Sequence, residues 1–229
     1  MTAYAIAPPA QVSLPVEGRE DVFPVGRIFC IGRNYAEHAR EMGHDPDREP
    51  PFFFMKPASS VSLTGEVPYP PGTSDVHHEM EMVVALAKGG RDIAEADALA
   101  HVFGYGVGLD MTRRDLQGEA KKLGRPWEIG KAFDYAAPCS GLRAVSDMGH
   151  PVAKARLTLD VNGERRQDST IDKMIWNVPE TISYISRYFE LLPGDLIMTG
   201  TPEGVAAVVK GDRLVGEVEG VGKLEVNVT

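Results

Sequence analysis

From Glu79 to Ala87 the chain reads EMEMVVALA, a stretch with no obvious wet side. Residues two apart on a strand share a face. Glu79 and Glu81 therefore point the same way as Val83 and Ala85, while Met80, Met82 and Val84 point the other way. A strand that is apolar on both faces belongs between layers, so two carboxylates enter a covered face together. Buried charge is costly unless it is paired. A solvent-facing edge is the competing explanation, and the apolar residues on both faces argue against it. A divalent cation is the natural compensator, because hard cations take carboxylate oxygens and keep waters that a substrate can displace. A third carboxylate is then expected from another strand. Asp110 qualifies: it ends the glycine-rich run FGYGVGLD, where a backbone can approach closely.

The rest of the chain supplies strands and few helices. RIFCIG, FFFMK, DLIMTG, RLVGEVEG and KLEVNV read as strands. RLTLDVNGERRQD reads as a hairpin, since Asn162-Gly163 favours a type I′ turn. The best helix is NVPETISYISRYFELL, with Asn177 as cap, Pro179 in the first turn, and Val178, Ile182, Ile185, Phe189 and Leu192 on one face. Asp92 is expected to cap a helix over DIAEADALAHV, and Asn34, with Glu37 three residues on, to cap RNYAEHAREMG. There is no regular βαβ alternation. The expected class is α+β, with a large mixed sheet, rolled or barrel-like, and a few short helices. Residues 1–24 are expected to form an N-terminal arm and residues 25–229 one domain.

Composition narrows the partners. A net charge of −9 over 229 residues argues against nucleic acid and anionic membranes. Cys30 and Cys139 lie far apart and read as reduced thiols, with a cytoplasmic location expected. The N-terminus is broken by Pro8 and Pro9 and lacks a basic leader, and no apolar run approaches a membrane span.

Three other places could carry chemistry. His38 and Glu41 share a helix face, and a carboxylate beside an imidazole orients it and raises its basicity. The same pair also fits a solvated helix surface. DMTRRDLQGEAKKLGRPWEIGKAFD is rich in basic residues, most of which suit a solvated face, but Lys131 stands in the apolar setting GKAF. MTGTPEGV places Thr199 and Thr201 at a strand end in a turn whose backbone N–H groups can meet an anion. His77 and His78 face opposite ways along a strand and read as structural. Cys139 reads as a packed thiol.

Taken in order, EME, GLDMTRRDLQ, GKAFD and TGTPEGV resemble the fumarylacetoacetate hydrolase family over about residues 25–229, and GRNYAEHAREMG resembles the lid of its acylpyruvate hydrolase branch. GHDPDREPPFFFMKPA and KKLGRPWE carry a finer resemblance to bacterial fumarylpyruvate hydrolases of gentisate breakdown. The resemblance implies a β-roll fold, a homodimer, and Glu79, Glu81 and Asp110 as ligands of Mg²⁺ or Mn²⁺, with Ca²⁺ also compatible. It implies a His38–Glu41 dyad on a lid at about residues 33–50. Lys131 would serve catalysis, and Arg33, Lys56, Arg114, Gln117 and Thr201 would contact a small anionic diketo acid. The implied reaction is hydrolysis of a C–C bond in a 2,4-diketo acid, fumarylpyruvate first. Oxaloacetate decarboxylation or hydrolysis of another acylpyruvate are the alternatives within the family. A module that holds Ca²⁺ for stability alone is the alternative of a different class.

Overall fold

The computed structural model describes residues 3–41 and 49–229, with the side chains of residues 39–41 outside the description. Two sheets face each other. The first has six strands in the order Arg143–Ala144, Val102–Leu109, Met80–Leu86, Leu196–Met198, Ile28–Gly32, Phe52–Lys56. All neighbours run antiparallel except Leu196–Met198 and Ile28–Gly32, which run parallel. The second has five strands in the order Glu164–Thr170, Arg156–Val161, Arg213–Val218, Gly222–Val228, Glu66–Val67. The class is the expected α+β; among the described residues the mixed sheets do not close into a barrel.

Strand alternation explains the packing. Met80, Met82, Val84 and Leu86 join Leu157, Leu159, Leu214 and Val226 of the second sheet in one core. Val83 and Ala85, on the opposite face, join Cys30, Met198 and Cys139 in another. All seven residues of Met80–Leu86 are buried, as a strand between two layers requires. Gly108 permits the fit: a Cβ there would come within 2.8 Å of Val83 and 3.2 Å of Met198.

The second core has a lid from the N-terminal residues. Ser13–Pro15 pairs with Val22–Pro24, and Leu14, Val16, Phe23 and Val25 are buried in that core. The Leu142 N–H donates to the Pro15 carbonyl at 2.8 Å. These 3-residue strands, flanked by prolines, carry little periodic signal of their own; their order comes from contacts with residues more than a hundred positions away, such as that of Pro15 with Leu142.

The hairpin turn is as expected, with Asn162 at φ 53° and Gly163 at φ 82°. The Val178–Ser186 helix starts with a reciprocal capping box between Asn177 and Glu180, and buries Val178, Ile182 and Ile185. Phe189 is partly buried beyond its end, and Leu192 is exposed. Two expected caps differ. Asp92 sits at φ 49°, and the helix there is only Glu95–Ala98, with Ala94 at its start. The Asn34 amide is turned away from the Ala36–Glu41 helix and into the protein. No described helix is long and apolar enough to cross a membrane.

Candidate metal centre

Register brings the acidic residues together. Met80 pairs with Leu109 and Glu81 with Gly108, so Asp110 emerges beside Glu79, its N–H donating to the Glu79 carbonyl at 2.8 Å. Val83 pairs with Met198, so the turn Thr199–Thr201 emerges beside Glu81. Each of Glu79, Glu81 and Asp110 offers a carboxylate oxygen within 4.8 Å of the others, and all three residues are buried. Residues 79, 110 and 200 are thus one edge of the sheet, where an antiparallel strand begins and two others end.

Three cations pair with two of the three carboxylates, Glu79 and Asp110. Lys131 is fully buried, and its ammonium spends all three protons: on Glu79 Oε2 at 2.8 Å, Asp110 Oδ2 at 2.7 Å and Thr112 Oγ1 at 2.6 Å. Burial alone would lower its pKa, but Asp110 and Glu79 reverse that and raise it. Arg114 donates to Glu79 Oε1 at 2.5 Å. Burial pushes the Glu79 carboxyl up, but Lys131, Arg114 and nearby His38 outweigh it and hold the group well below the ordinary carboxylate range. Lys56 lies 2.9 Å from Asp110 Oδ1 and donates to the carbonyls of Lys131 and Met111.

Glu81 is the exception. Among the described residues it has no ion pair, and it accepts a 2.7 Å hydrogen bond from the Gly200 N–H. Burial, then Asp110 and then Glu79 push its carboxyl well above the usual range. Gly200 adopts φ +94°, and a Cβ there would stand 2.7 Å from Asn34 Cβ, so only glycine brings this N–H to Glu81. Asn34 itself donates to the carbonyls of Thr199 at 2.7 Å and Trp176 at 2.9 Å, and accepts from Trp176 N–H at 2.8 Å. It ties the base of the His38 helix to the turn that holds Glu81.

These residues fit a hard divalent cation. The donor set is all carboxylate oxygen, which suits Mg²⁺, Mn²⁺ or Ca²⁺. The cluster is charge-balanced yet leaves Glu81 without a cation of its own. Carboxylate oxygens have two lone pairs, so Glu79 and Asp110 can keep Lys131 and still ligate.

A narrow cleft opens over this centre. His38 lines it and is 6% exposed; the Glu41 side chain lies outside the described residues. Arg33, Arg114, Gln117, Lys131 and Thr201 line it too. Gln117 accepts from Arg114 at 2.8 Å, and Thr201 accepts from Gln167 Nε2 at 2.8 Å. Lys56 stands behind the wall, 1% exposed, where it supports Asp110 and the Lys131 backbone and has no face toward a substrate. His78 is buried on Gln167, with its pKa lowered to about 4 by burial; His77 pairs with Asp75.

Sequence reasoning missed four contributors. Gln167 holds Thr201, the Met80 N–H and His78; its signal is an inward position, shared with Ser169, on a strand whose charged residues Glu164, Arg165, Arg166 and Asp168 face out. Thr112 and the Gly200 N–H carry no local signal, since they meet Lys131 and Glu81 across the fold, and Trp127 gains its place in the wall from Phe54.

The chain is similar to known proteins over most of its length. The family description that matches, fumarylacetoacetate (FAA) hydrolase C-terminal, covers residues 27–229. A fumarylpyruvate hydrolase of Ralstonia sp is 46% identical over 82% of this chain and 98% of its own length. The oxaloacetate tautomerase YcgM of Escherichia coli is 38% identical over 86% and 90%. Among solved structures, fumarylpyruvate hydrolase from Pseudomonas aeruginosa in complex with Mn²⁺ and pyruvate superposes with a TM-score of 0.96 at 55% identity, covering 99% of each chain. The chain belongs to the fumarylacetoacetate hydrolase family.

Proposed function

We propose that this chain is a divalent-metal-dependent acylpyruvate hydrolase that cleaves fumarylpyruvate to fumarate and pyruvate. The observation that carries this reading is Glu81, a buried carboxylate between two others with no cation of its own. The Ralstonia sp and Pseudomonas aeruginosa relatives support the substrate, and the pyruvate in the latter complex is one half of it. Glu79, Glu81 and Asp110 would hold the ion, Mg²⁺ or Mn²⁺, with Ca²⁺ compatible. A bound divalent cation supplies positive charge to the carboxylate and 2-keto oxygen of the diketo acid.

The chain's own groups do the rest. His38, paired with Glu41 in the proposed dyad, would take a proton from water, a contribution of about 10²- to 10⁴-fold. The hydroxide adds to the acyl carbon, the C–C bond to the methylene breaks, and its electron pair stays with the pyruvate half. A returned proton makes the methyl group, so one water is consumed and one acid and one pyruvate are released. Lys131, whose three protons are already placed, would stabilise charge developing on oxygen through its positive field, and Gln117 would do so through its amide N–H. Arg33, Arg114 and Thr201 hold the anionic substrate, and Lys56 contributes through Asp110. The chain would act in the cytoplasm as a homodimer, in gentisate breakdown, with residues 25–229 as catalytic domain and a lid at about 33–50.

Oxaloacetate is a second candidate, favoured by the tautomerase relatives. It would need proton transfer at C3 and no water. Purified protein with Mg²⁺ should release pyruvate and acid one to one from fumarylpyruvate, and His38→Ala should lose at least about 100-fold. Unchanged turnover in His38→Ala sinks the dyad. Enol–keto exchange of oxaloacetate without acylpyruvate cleavage favours the second candidate.

A further inference from the structure

The cleft has a second, cationic end. Arg114, Gln117 and Lys121 stand at positions i, i+3 and i+7 of the Arg114–Lys122 helix and share the face that lines the cleft. Arg114 is matched by Glu79. Lys121 lies two turns farther out, and Arg33 faces the same space from the end of Ile28–Gly32. Among the described residues neither has a carboxylate within ion-pair distance. Arg33 sits at φ 57°, in the turn that follows Ile28–Gly32. The two cations disfavour each other: burial, then Arg114 and Arg33, lower the Lys121 pKa to about 8. An anion between them would relieve this.

An aromatic wall joins the two ends. Lys131 Nζ lies 5.0 Å from the Phe54 ring centre, Phe54 lies 5.9 Å from Trp127, and Lys121 Nζ lies 4.8 Å from the Trp127 ring. Such a wall suits a flat, conjugated chain better than a bulky or strongly hydrated one.

We propose that Lys121 and Arg33 bind a second, distal carboxylate of the substrate, and that Phe54 and Trp127 flank the flat unsaturated arm that connects it to the diketo acid. This rests on the acylpyruvate reading and deepens it: the preferred substrates are dicarboxylates, and acylpyruvates with a short uncharged acyl group are poor. Lys121 is then a specificity-determining residue.

The test compares fumarylpyruvate with acetylpyruvate, which lacks the distal carboxylate, in wild type, Lys121→Met and Lys121→Arg. The ratio of kcat/KM values, fumarylpyruvate over acetylpyruvate, should fall about 10- to 100-fold in Lys121→Met, as expected for loss of a charge-assisted hydrogen bond. It should stay within about threefold of wild type in Lys121→Arg, which keeps the charge. An unchanged ratio in Lys121→Met overturns the proposal, and so does an equal loss in both variants. Calorimetric titration of fumarate and of crotonate, a monocarboxylate of similar shape, into Mg²⁺-loaded protein gives an independent readout. Wild type should prefer fumarate, and Lys121→Met should lose that preference; equal preference in both overturns the clamp. If wild type cleaves neither acylpyruvate, the hydrolase reading fails while the titration still decides the clamp.

Discussion

Replacing Glu81 with glutamine separates the two consequences of burying its carboxylate. The residue is 1% exposed and accepts one backbone hydrogen bond, from Gly200 at 2.7 Å. Glutamine has the same size and can accept that bond through its amide oxygen. In metal-free protein, burial and the neighbouring Asp110 and Glu79 raise the Glu81 pKa above its ordinary 4.5. A raised carboxyl pKa stabilises the fold fully below about pH 4.5, and this is lost as pH rises through the folded value, at about 1.4 kcal/mol per pH unit. At neutral pH and above, metal-free wild type therefore carries a cost that Glu81→Gln lacks. Metal reverses the order. At a concentration about 100 times Kd, a ligand specific to the folded state adds about 2.7 kcal/mol. In a domain of this size that raises Tm by about 5–10 °C. Thermal melts of chelator-stripped protein at pH 8, with and without Mg²⁺ or Mn²⁺, should show that rise in wild type and none in Glu81→Gln. Stripped Glu81→Gln should melt no lower than stripped wild type. A Glu81→Gln variant that keeps the metal-dependent rise would show that Glu81 is not a metal-bound carboxylate, and one that melts several degrees lower when stripped would show that burying its charge carries no such cost.

Other outcomes follow from the same contacts. Lys131→Met leaves Glu79 and Asp110 buried without the ammonium they share. It should cost metal-free protein about 3–5 kcal/mol in denaturant unfolding, and less when divalent metal is bound, because the ion restores positive charge. Gly200→Ala forces a side chain into φ +94° and against Asn34 Cβ at 2.7 Å. It should lose about 2 kcal/mol or more and weaken metal affinity by calorimetry, since the Gly200 N–H would no longer position Glu81. With a Lys121 pKa of about 8, its charged fraction falls from about nine-tenths at pH 7 to about one-tenth at pH 9. KM for fumarylpyruvate should rise up to about tenfold over that range in wild type and stay flat in Lys121→Arg, whose guanidinium remains charged.

Much of this was legible where the signal is local. Period two along EMEMVVALA put Glu79 and Glu81 on one face, and full burial followed from the apolar residues on both sides. Asn162-Gly163 and Asn177 specify their turn and cap within four residues. The failures involve side chains whose partners are remote. Asn34 has the composition of a helix cap, yet its amide serves residues 142 and 165 positions away, because three hydrogen bonds in a buried site outweigh one at a surface helix start. Lys56 follows an apolar strand and resembles a substrate cation; the pairing of Ile28 with Lys56 turns it behind Asp110 instead. Lys121 looked like one more charge on a solvated helix until Trp127 and the cleft fixed its surroundings. The residues 12–25 hairpin owes its place to Leu142 and the second core, which nothing within its own sequence specifies.

On the proposed reading, cleavage of a diketo acid depends on a divalent ion held by three strand-end carboxylates, Glu79, Glu81 and Asp110. The most direct test is to strip the protein exhaustively with chelator, add fumarylpyruvate, and titrate Mg²⁺ or Mn²⁺ while following loss of the diketo absorbance and release of pyruvate. Stripped protein should show no cleavage, wild type should recover saturably with metal and release one pyruvate per diketo acid consumed, and Glu81→Gln should not recover. Cleavage that survives complete chelation, or recovery of the same size in Glu81→Gln, would contradict this reading.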